Sequence, residues 1–283
     1  MPELPEVETV ARGLAAAVEG RKILHAEARR PDLRFPLPTD LAARLVGRRL
    51  THIARRAKYM LLHLDDGTVM ILHLGMSGRL LILNGKPEID EPPGKHDHVI
   101  FDFEGSTQVR FNDVRRFGML DLCTEDELAV HPLLRDLGPE PLGNDFNGPA
   151  LAAALKGRRT PIKAALLDQR NVAGLGNIYV CEALFWARIS PRRSASTVQG
   201  KRAENLAASV KSVLTDAIAS GGSSLRDYVQ PSGELGYFQH QWAVYGREGE
   251  RCPGCDCDGA AKTGIHRIVQ SGRSTFFCPH RQR

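Results

Sequence analysis

The chain has 283 residues, of which 42% are hydrophobic and 25% charged, a composition typical of globular proteins with one or two domains. No apolar run approaches the roughly 18 residues that span a bilayer, and no basic segment followed by an apolar one opens the chain. We therefore expect a cytoplasmic protein without a membrane span or a secretory signal.

The net charge of +5 is unevenly distributed along the chain. Residues 1–145 hold 19 Lys and Arg against 23 Asp and Glu, a net charge of −4. Residues 146–283 hold 19 against 10, a net charge of +9. The basic C-terminal half predicts a polyanionic partner. A merely solvated basic surface explains the charge alone equally well.

The predicted elements change character along the chain. Apolar residues from Val7 to Val18 have helical spacing and predict a helix that ends near Gly20. Residues 22–121 have the pattern of antiparallel strands. Two hairpins are predicted among them, residues 58–64 with 68–74 around the turn 65–67, and residues 99–103 with 108–111 around the turn 104–106.

The C-terminal half is predicted to be helical. Thr124 and Glu127 have the spacing of a capping box, and residues 137–143 are rich in Gly and Pro, as in a linker. Helical patterns follow at residues 148–156, 161–169, 177–188 and 201–219. The last forty residues hold Cys252, Cys255, Cys257 and Cys278, which in a cytosolic chain predict a small metal-stapled unit rather than disulfides.

Pro2 and Glu3 precede the first predicted helix. If Met1 is removed, Pro2 carries a free secondary amine that is partly unprotonated at neutral pH and can attack a sugar C1′ carbon. Glu3 is placed to act as a general acid. A proline and an acid at a helix start also have a purely structural explanation, and these two residues alone favour it.

The longer opening, Pro2-Glu3-Leu4-Pro5-Glu6-Val7-Glu8-Thr9, closely resembles the N-terminus of the bacterial formamidopyrimidine-DNA glycosylases. Further motifs match in the same order as far as Cys278, so the resemblance covers essentially the whole chain. It implies an α+β fold: an N-terminal antiparallel β-sandwich with a leading catalytic helix, a helix–two-turn–helix domain and a β-hairpin zinc finger. We expect these parts at residues 1–137, 138–240 and 241–283.

The resemblance implies a bifunctional DNA glycosylase and AP lyase of base excision repair. It would remove oxidised purines through an imine on Pro2 and cut the strand by β,δ-elimination, acting as a monomer on double-stranded DNA with oxidised bases or abasic sites. Two alternatives remain: an endonuclease VIII-like enzyme for oxidised pyrimidines, which usually has Gly where this chain has Leu4, and a damage-binding protein without activity. If Met1 is retained, Pro2 has no free amine and the reaction cannot begin.

Further residue roles follow from the resemblance, motif by motif. Arg55-Arg56-Ala57-Lys58-Tyr59 gives Lys58 a role in the lyase steps. The hairpin around Arg273 gives that arginine a catalytic role, in which it grips the phosphates beside the lesion and assists the final elimination. Met76 would be the apolar wedge that fills the gap left by an extruded base, Arg115 would contact the orphaned partner base, and Phe117 would kink the base step. Their position in Gly-bounded turns favours exposed tips. For Met76 and Phe117 taken alone, a place in the core is the simpler explanation. The remaining DNA contacts implied are His73, His96, Arg158, Lys163 and Asn177.

The metal site departs from the family pattern. Cys252, Cys255 and Cys278 match three ligand positions, but Arg281 stands where the fourth cysteine belongs. A structural zinc ion takes four ligands. Cys257 or His280, or less directly His266, would have to complete the set, or the site is weakened or empty.

Overall fold

The first helix forms where the apolar spacing predicts it. In the computed structural model, which describes residues 1–85, 92–223, 237–256 and 264–283, α1 covers Leu4–Val18. Glu3 caps its first turn, and the chain leaves the helix at Glu19 and Gly20, the latter with φ +80°. A short helix α2 (Leu41–Leu45) follows later. It is too short to give a periodic signal, and the sequence did not predict it.

Two four-stranded antiparallel sheets follow α1. The first has the strand order β1 (Ile23–Ala28), β6 (Asp97–Phe103), β7 (Thr107–Asp113), β5 (Gly78–Asn84). The second has the order β2 (Leu50–Arg56), β3 (Tyr59–Leu64), β4 (Thr68–His73), β8 (Met119–Thr124). The two predicted hairpins are confirmed as β3–β4 and β6–β7, with turns at residues 65–67 and 104–106.

One hydrophobic core joins α1 to both sheets. Val7, Val10 and Leu14 of the helix belong to the same buried cluster as Leu62 and Leu72 of one sheet and Leu80, Phe101 and Phe111 of the other. The sandwich with a leading helix is therefore confirmed. The start of α1 and the strand ends therefore belong to one compact unit with a shared core.

The chain then becomes helical. The predicted capping box of Thr124 and Glu127 is present, although it opens a 3₁₀ helix (Glu125–Val130). Four helices occupy the predicted segments: α3 (Gly148–Leu155), α4 (Ile162–Leu167), α5 (Asn177–Trp186) and α6 (Lys201–Ala219). Short 3₁₀ turns cover Ala195–Thr197 and Phe238–Gln241, and the chain ends with the hairpin β9 (His266–Gln270) and β10 (Arg273–Phe277).

The backbone divides into two compact units. One comprises Met1–Arg135 with the described part of Gly221–Gly236, and the other Asp136–Ser220 with Tyr237–Arg283. In the second unit the hairpin shares a buried cluster with α5, in which Phe276 and Cys278 pack with Phe185. The boundaries after residues 137 and 240 stay predictions. None of the described helices is long and apolar enough to cross a membrane.

Candidate active site and nucleic-acid interface

The residues before α1 are fixed by reciprocal hydrogen bonds. The Glu3 carboxylate accepts the backbone N–H of Glu6, and the Glu6 Oε2 accepts the N–H of Glu3 at 2.8 Å. Glu3 is buried, as is Pro2 directly before it. A capping box of this kind removes the freedom that a chain terminus ordinarily has. Removal of Met1 would expose an amine held in a defined place.

Glu6 is a functional candidate that the sequence reasoning missed. It is fully buried, and its second oxygen, Oε1, accepts the backbone N–H of Ser223 at 2.8 Å. The three-residue spacing from Glu3 was a signal for the first bond. Nothing local predicts the second, because 217 residues separate the two partners. From the family resemblance we expect the loop that caps an extruded base at about residues 222–238. Residues 224–236 of it lie outside the described residues.

Lys58 lies in the two-residue turn Ala57-Lys58 between β2 and β3. Its side chain is buried, and its charge contributes to lowering the pKa of His73. Ala57 has φ +55°, a conformation in which a Cβ is unfavourable. The turn therefore holds a lysine inside the unit that also carries Pro2 and Glu3.

His73 is held as a neutral imidazole. Its Nδ1 accepts the backbone N–H of Gly75 at 2.9 Å, which places the proton on Nε2. Burial, together with the charges of Lys58 and Arg34, lowers the pKa of His73 to about 4. At neutral pH His73 is thus an uncharged N–H donor beside a cationic lysine.

Met76 and Phe117 are carried by two turns that are tied together. The Ser77 hydroxyl donates to Asp113 Oδ1 at 2.5 Å and accepts the backbone N–H of Arg115 at 3.0 Å. A Cβ at Gly75 would collide with the backbone of Phe117, so only glycine permits this approach.

The side chains of these two turns point outward. Met76 is 37% and Phe117 38% exposed, and the Arg115 guanidinium lies 4.8 Å from the centre of the Phe117 ring. The structure therefore brings the three predicted wedge residues to one exposed surface.

His96 lies beside the same loop. Its backbone carbonyl accepts the N–H of Asp113 at 3.0 Å, and its half-buried ring stands edge-on to His98 at 6.2 Å. His98 Nε2 contacts the carbonyl of Asp113 at 2.8 Å. Contacts from residues at the start of β6 therefore hold the loop that carries Arg115 and Phe117.

In the second unit, Lys163 and Asn177 face the C-terminal hairpin. Lys163 is only 1% exposed, and its Nζ donates to Thr275 Oγ1 at 2.6 Å and to the Ser274 carbonyl at 3.0 Å. The Nδ2 of Asn177 donates to the same carbonyl at 2.9 Å and to the Tyr245 hydroxyl at 3.2 Å. Both side chains therefore anchor β10, a function that the motif comparison did not indicate. Their contacts with phosphate stay predictions.

The two other cationic site residues predicted in this unit, Arg158 and Arg273, are accessible. Arg158 is exposed, and its Nε donates to the Ala154 carbonyl at the end of α3 at 2.7 Å. Arg273 is exposed at the start of β10, next to Ser274, which Lys163 and Asn177 hold. The anchored strand therefore presents Arg273 at the surface.

Three cysteines meet at the base of the hairpin. The ligand atoms of Cys252, Cys255 and Cys278 all lie within 4.8 Å of one another, with Sγ separations of 3.0 Å for Cys252–Cys255 and 3.6 Å for Cys255–Cys278. Unbridged thiols so close together suit thiolate coordination of a metal ion.

His280, one of the two candidates for a fourth ligand, is exposed and lies outside this group of described residues. Cys257 lies outside the described residues. The Arg281 guanidinium lies over the Phe185 ring at 4.8 Å and donates to the Gly254 carbonyl in the turn between the first two cysteines. Arg281 therefore stabilises the turn that carries Cys252 and Cys255.

Solved structures superpose on this chain over nearly its whole length. The MutM (Fpg) protein of Thermus thermophilus superposes with a TM-score of 0.86 and 40% identity, over 99% of this chain and 98% of that one. The Lactococcus lactis Fpg, solved in complex with DNA containing an abasic site, superposes with a TM-score of 0.88 and 36% identity over the full length of both chains.

Sequence comparison defines the family. Residues 1–120 match the formamidopyrimidine-DNA glycosylase N-terminal domain, and residues 137–229 match the H2TH domain of the same proteins. Proteins named formamidopyrimidine-DNA glycosylase from Rhodospirillum centenum and Rhodospirillum rubrum are 59% and 56% identical, with full coverage of both chains in each pair. The chain belongs to the formamidopyrimidine-DNA glycosylase family.

Proposed function

We propose that this DNA glycosylase of base excision repair removes oxidised purines, 8-oxoguanine and formamidopyrimidines, from duplex DNA and then cuts the strand at the same site. The observation that carries the proposal is the buried, capped Pro2-Glu3 segment in the same compact unit as the buried Lys58. Relatives that match over their full length support it.

The proposed chemistry begins with the Pro2 amine after Met1 is removed. Its lone pair attacks C1′ of the damaged nucleotide, the glycosidic bond breaks, and the departing base takes its electron pair and a proton. The bound amine loses its proton, the C1′–O4′ bond of the sugar ring breaks, and O4′ takes up a proton. The iminium that this leaves at C1′ withdraws electrons and makes the C2′ proton acidic. Loss of that proton expels the 3′ phosphate, and a second elimination expels the 5′ phosphate. Glu3 is proposed to transfer protons at the sugar, and Lys58 to protonate or stabilise the leaving groups.

DNA contacts are proposed for the accessible groups of each unit. Met76, Arg115 and Phe117 would enter the duplex where the base is extruded, a task that their shared exposed surface supports. His73 and His96 in the first unit, and Arg158, Lys163, Asn177 and Arg273 in the second, are proposed to hold the phosphates. Such contacts set affinity and position rather than sequence preference.

The C-terminal hairpin is proposed to hold one structural zinc ion through Cys252, Cys255, Cys278 and, as the fourth ligand, Cys257. His280 is the weaker choice because its side chain is exposed and outside the cluster. When bound, the metal would supply folding free energy to a segment with little apolar surface of its own. A Cys257→Ser variant should lose most of its zinc while His280→Ala keeps about one equivalent. Zinc below about half an equivalent in the wild type would mean that the site is lost.

Borohydride trapping tests the proposed reaction. The protein is incubated with an 8-oxoguanine duplex, an oxidised-pyrimidine duplex and an undamaged duplex, each with and without borohydride. We expect a covalent adduct that forms fastest on the 8-oxoguanine duplex and maps to residue 2 by mass spectrometry. An adduct on Lys58 would overturn the assignment of Pro2 as the nucleophile. A preference for the pyrimidine lesion would overturn the assignment of oxidised purines as the substrate. Binding without any adduct would mean that the protein recognises damage without catalysing the reaction.

A further inference from the structure

A partly buried ion pair connects α1 to the strand that leads into the turn with Lys58. Arg55 Nε lies 2.7 Å from Glu8 Oε2, and the two side chains are 10% and 20% exposed. Glu8 lies on the second turn of α1, the helix that follows Pro2 and Glu3, whereas Arg55 is near the end of β2. A charge-assisted bond with so little solvent access is a strong and directional contact.

The same guanidinium also holds the turn itself. Arg55 Nη1 donates to the carbonyl of Ala57 at 2.9 Å. Ala57 is fully buried and has φ +55°, a value for which the first position of a two-residue hairpin turn ordinarily requires glycine. Alanine there strains the backbone, so the turn needs outside contacts to keep it in one conformation.

Glu8 is kept ionised for this contact. Burial raises the pKa of Glu8, but the hydrogen bonds and charges of Arg55 and Arg12 outweigh burial and leave the pKa below its ordinary value. The two arginines differ in what they connect. Arg12 lies on α1 itself, four residues after Glu8, and is 67% exposed. Its ion pair with Glu8 therefore stays within one helix and connects α1 to no other element.

We propose that Arg55, oriented by Glu8, is a positioning residue of the active site that fixes the Ala57-Lys58 turn against α1. Through this contact it sets the place of the Lys58 ammonium relative to Pro2 and Glu3. The proposal rests on the proposed function for its catalytic consequence, although the contact itself is independent of it. Displacement of a reacting group by about 1 Å is enough to slow a step by about 100-fold.

Single-turnover kinetics on an 8-oxoguanine duplex test the proposal. Glu8→Gln and Arg55→Gln should lower the rate of adduct formation by about 10-fold to 100-fold, while the Kd for a duplex with an uncleavable abasic analogue stays within about threefold. Arg55→Lys, which keeps the charge but not the two-pronged geometry, should recover part of the rate. Arg12→Gln is the matched control, since it removes an ion pair to the same carboxylate and should leave the rate unchanged.

The role of the turn is tested by the double variant Arg55→Gln with Ala57→Gly. Glycine adopts the positive φ without strain, so this variant should react faster than Arg55→Gln alone. A merely destabilising effect of Arg55→Gln would instead lower the active fraction and the DNA affinity together, without rescue by glycine. Rates for Arg55→Gln equal to those for Arg12→Gln would overturn the proposal.

Hydrogen exchange separates this proposal from the function it rests on. Amides of the Ala57–Tyr59 turn should exchange at least several-fold faster in Arg55→Gln than in Arg12→Gln, whatever the activity of the protein. Equal exchange would refute the contact even in an active enzyme. A wild type that gives no adduct, with the exchange difference present, would refute the proposed function and leave the positioning contact standing.

Discussion

At the scale of single residues, the neighbourhood of Lys58 shows how one side chain constrains another. Gly75 donates to Nδ1 of His73, and burial with the nearby charges of Lys58 and Arg34 keeps the ring unprotonated to about pH 4. A protonated His73 would add a third positive charge in a place with little water. The neutral ring instead offers a hydrogen-bond donor for a phosphate oxygen without competing with Lys58 for charge.

This arrangement predicts a stability cost in acid. The unfolded chain protonates His73 near its ordinary pKa of 6.5, whereas the folded chain does so only near 4. The free energy of unfolding should therefore fall as the pH is lowered from about 6.5 to about 4, by at most about 3 kcal/mol from this residue. His73→Gln, which can still accept the Gly75 N–H, should flatten that dependence in urea denaturation between pH 4 and 7.5.

The control is His25→Gln, which replaces an exposed imidazole on β1 of the same unit. It should leave the slope of the wild type in place. Identical slopes for His73→Gln and wild type would show that the acid sensitivity has another source.

At the scale of elements, the C-terminal hairpin depends on contacts from the helices beside it. Glu182 of α5 is buried, and its carboxylate accepts the backbone N–H groups of Ala243, Val244 and Tyr245 at 2.8–3.0 Å. Burial raises the pKa of Glu182 against the lowering effect of these three bonds. Tyr245 in turn contacts Phe276 of β10, with ring centres 5.1 Å apart. The hairpin is thus held from its Ser274 side by Lys163 and Asn177 and from its Phe276 side by Tyr245.

Loss of the Lys163 contacts should loosen the strand that presents Arg273. Lys163→Met keeps the length of the side chain but leaves Ser274 and Thr275 with fewer partners, at a cost of about 1–3 kcal/mol. Trypsin cleavage after Arg273 should become about tenfold faster, because local opening of the hairpin needs less free energy. Lys211→Met is the matched control, since Lys211 makes a similar bond, to the Gly143 carbonyl at 2.9 Å, away from the hairpin.

The outcome also separates two functions for Lys163. Anchoring predicts faster cleavage with an unchanged salt dependence of DNA binding. A direct phosphate contact predicts the reverse, a flatter salt dependence and a hairpin as resistant as in the wild type.

The sequence predicted those elements whose signal is local. Apolar spacing located α1 and the four helical segments of the C-terminal half, and the Asp65–Gly67 turn located the β3–β4 hairpin. The sequence did not predict that β8 pairs with β4, or that β1 pairs with β6. These partners are 46 to 80 residues apart, and periodicity carries no information on register. The residues of the candidate site also divide into those with a local signal and those without one. Family motifs indicated Lys58 and Met76, whereas the Arg55–Glu8 pair and the burial of Lys163 come from tertiary contacts that no spacing reveals.

At the scale of the whole molecule, the excess positive charge and the proposed nucleophile lie in different halves of the chain. The proposed nucleophile and Lys58 lie in the half with a net charge of −4, and the half with +9 carries the hairpin and the Asn177 turn. An acidic half repels a polyanion unless the basic half outweighs it. Affinity for DNA should therefore come mainly from residues 146–283, and selection of the damaged base mainly from the first half.

This division predicts that DNA affinity depends steeply on salt concentration and that this dependence can be changed without changing lesion preference. The logarithm of the DNA association constant should fall linearly with the logarithm of salt concentration, by about one unit of slope for each phosphate contact, because binding releases condensed cations. Arg158→Ala should reduce the slope by about one unit and leave the ratio of 8-oxoguanine to undamaged binding unchanged. Arg12→Ala removes the same charge from the acidic half, where it is paired with Glu8, and should leave the slope as it is. Fluorescence anisotropy between about 50 and 300 mM salt measures both the slope and the binding ratio. Over this range the Debye length falls from about 14 to about 6 Å. An Arg158→Ala variant with the slope of the wild type and an altered lesion preference would place Arg158 at the damaged base and not on the phosphates.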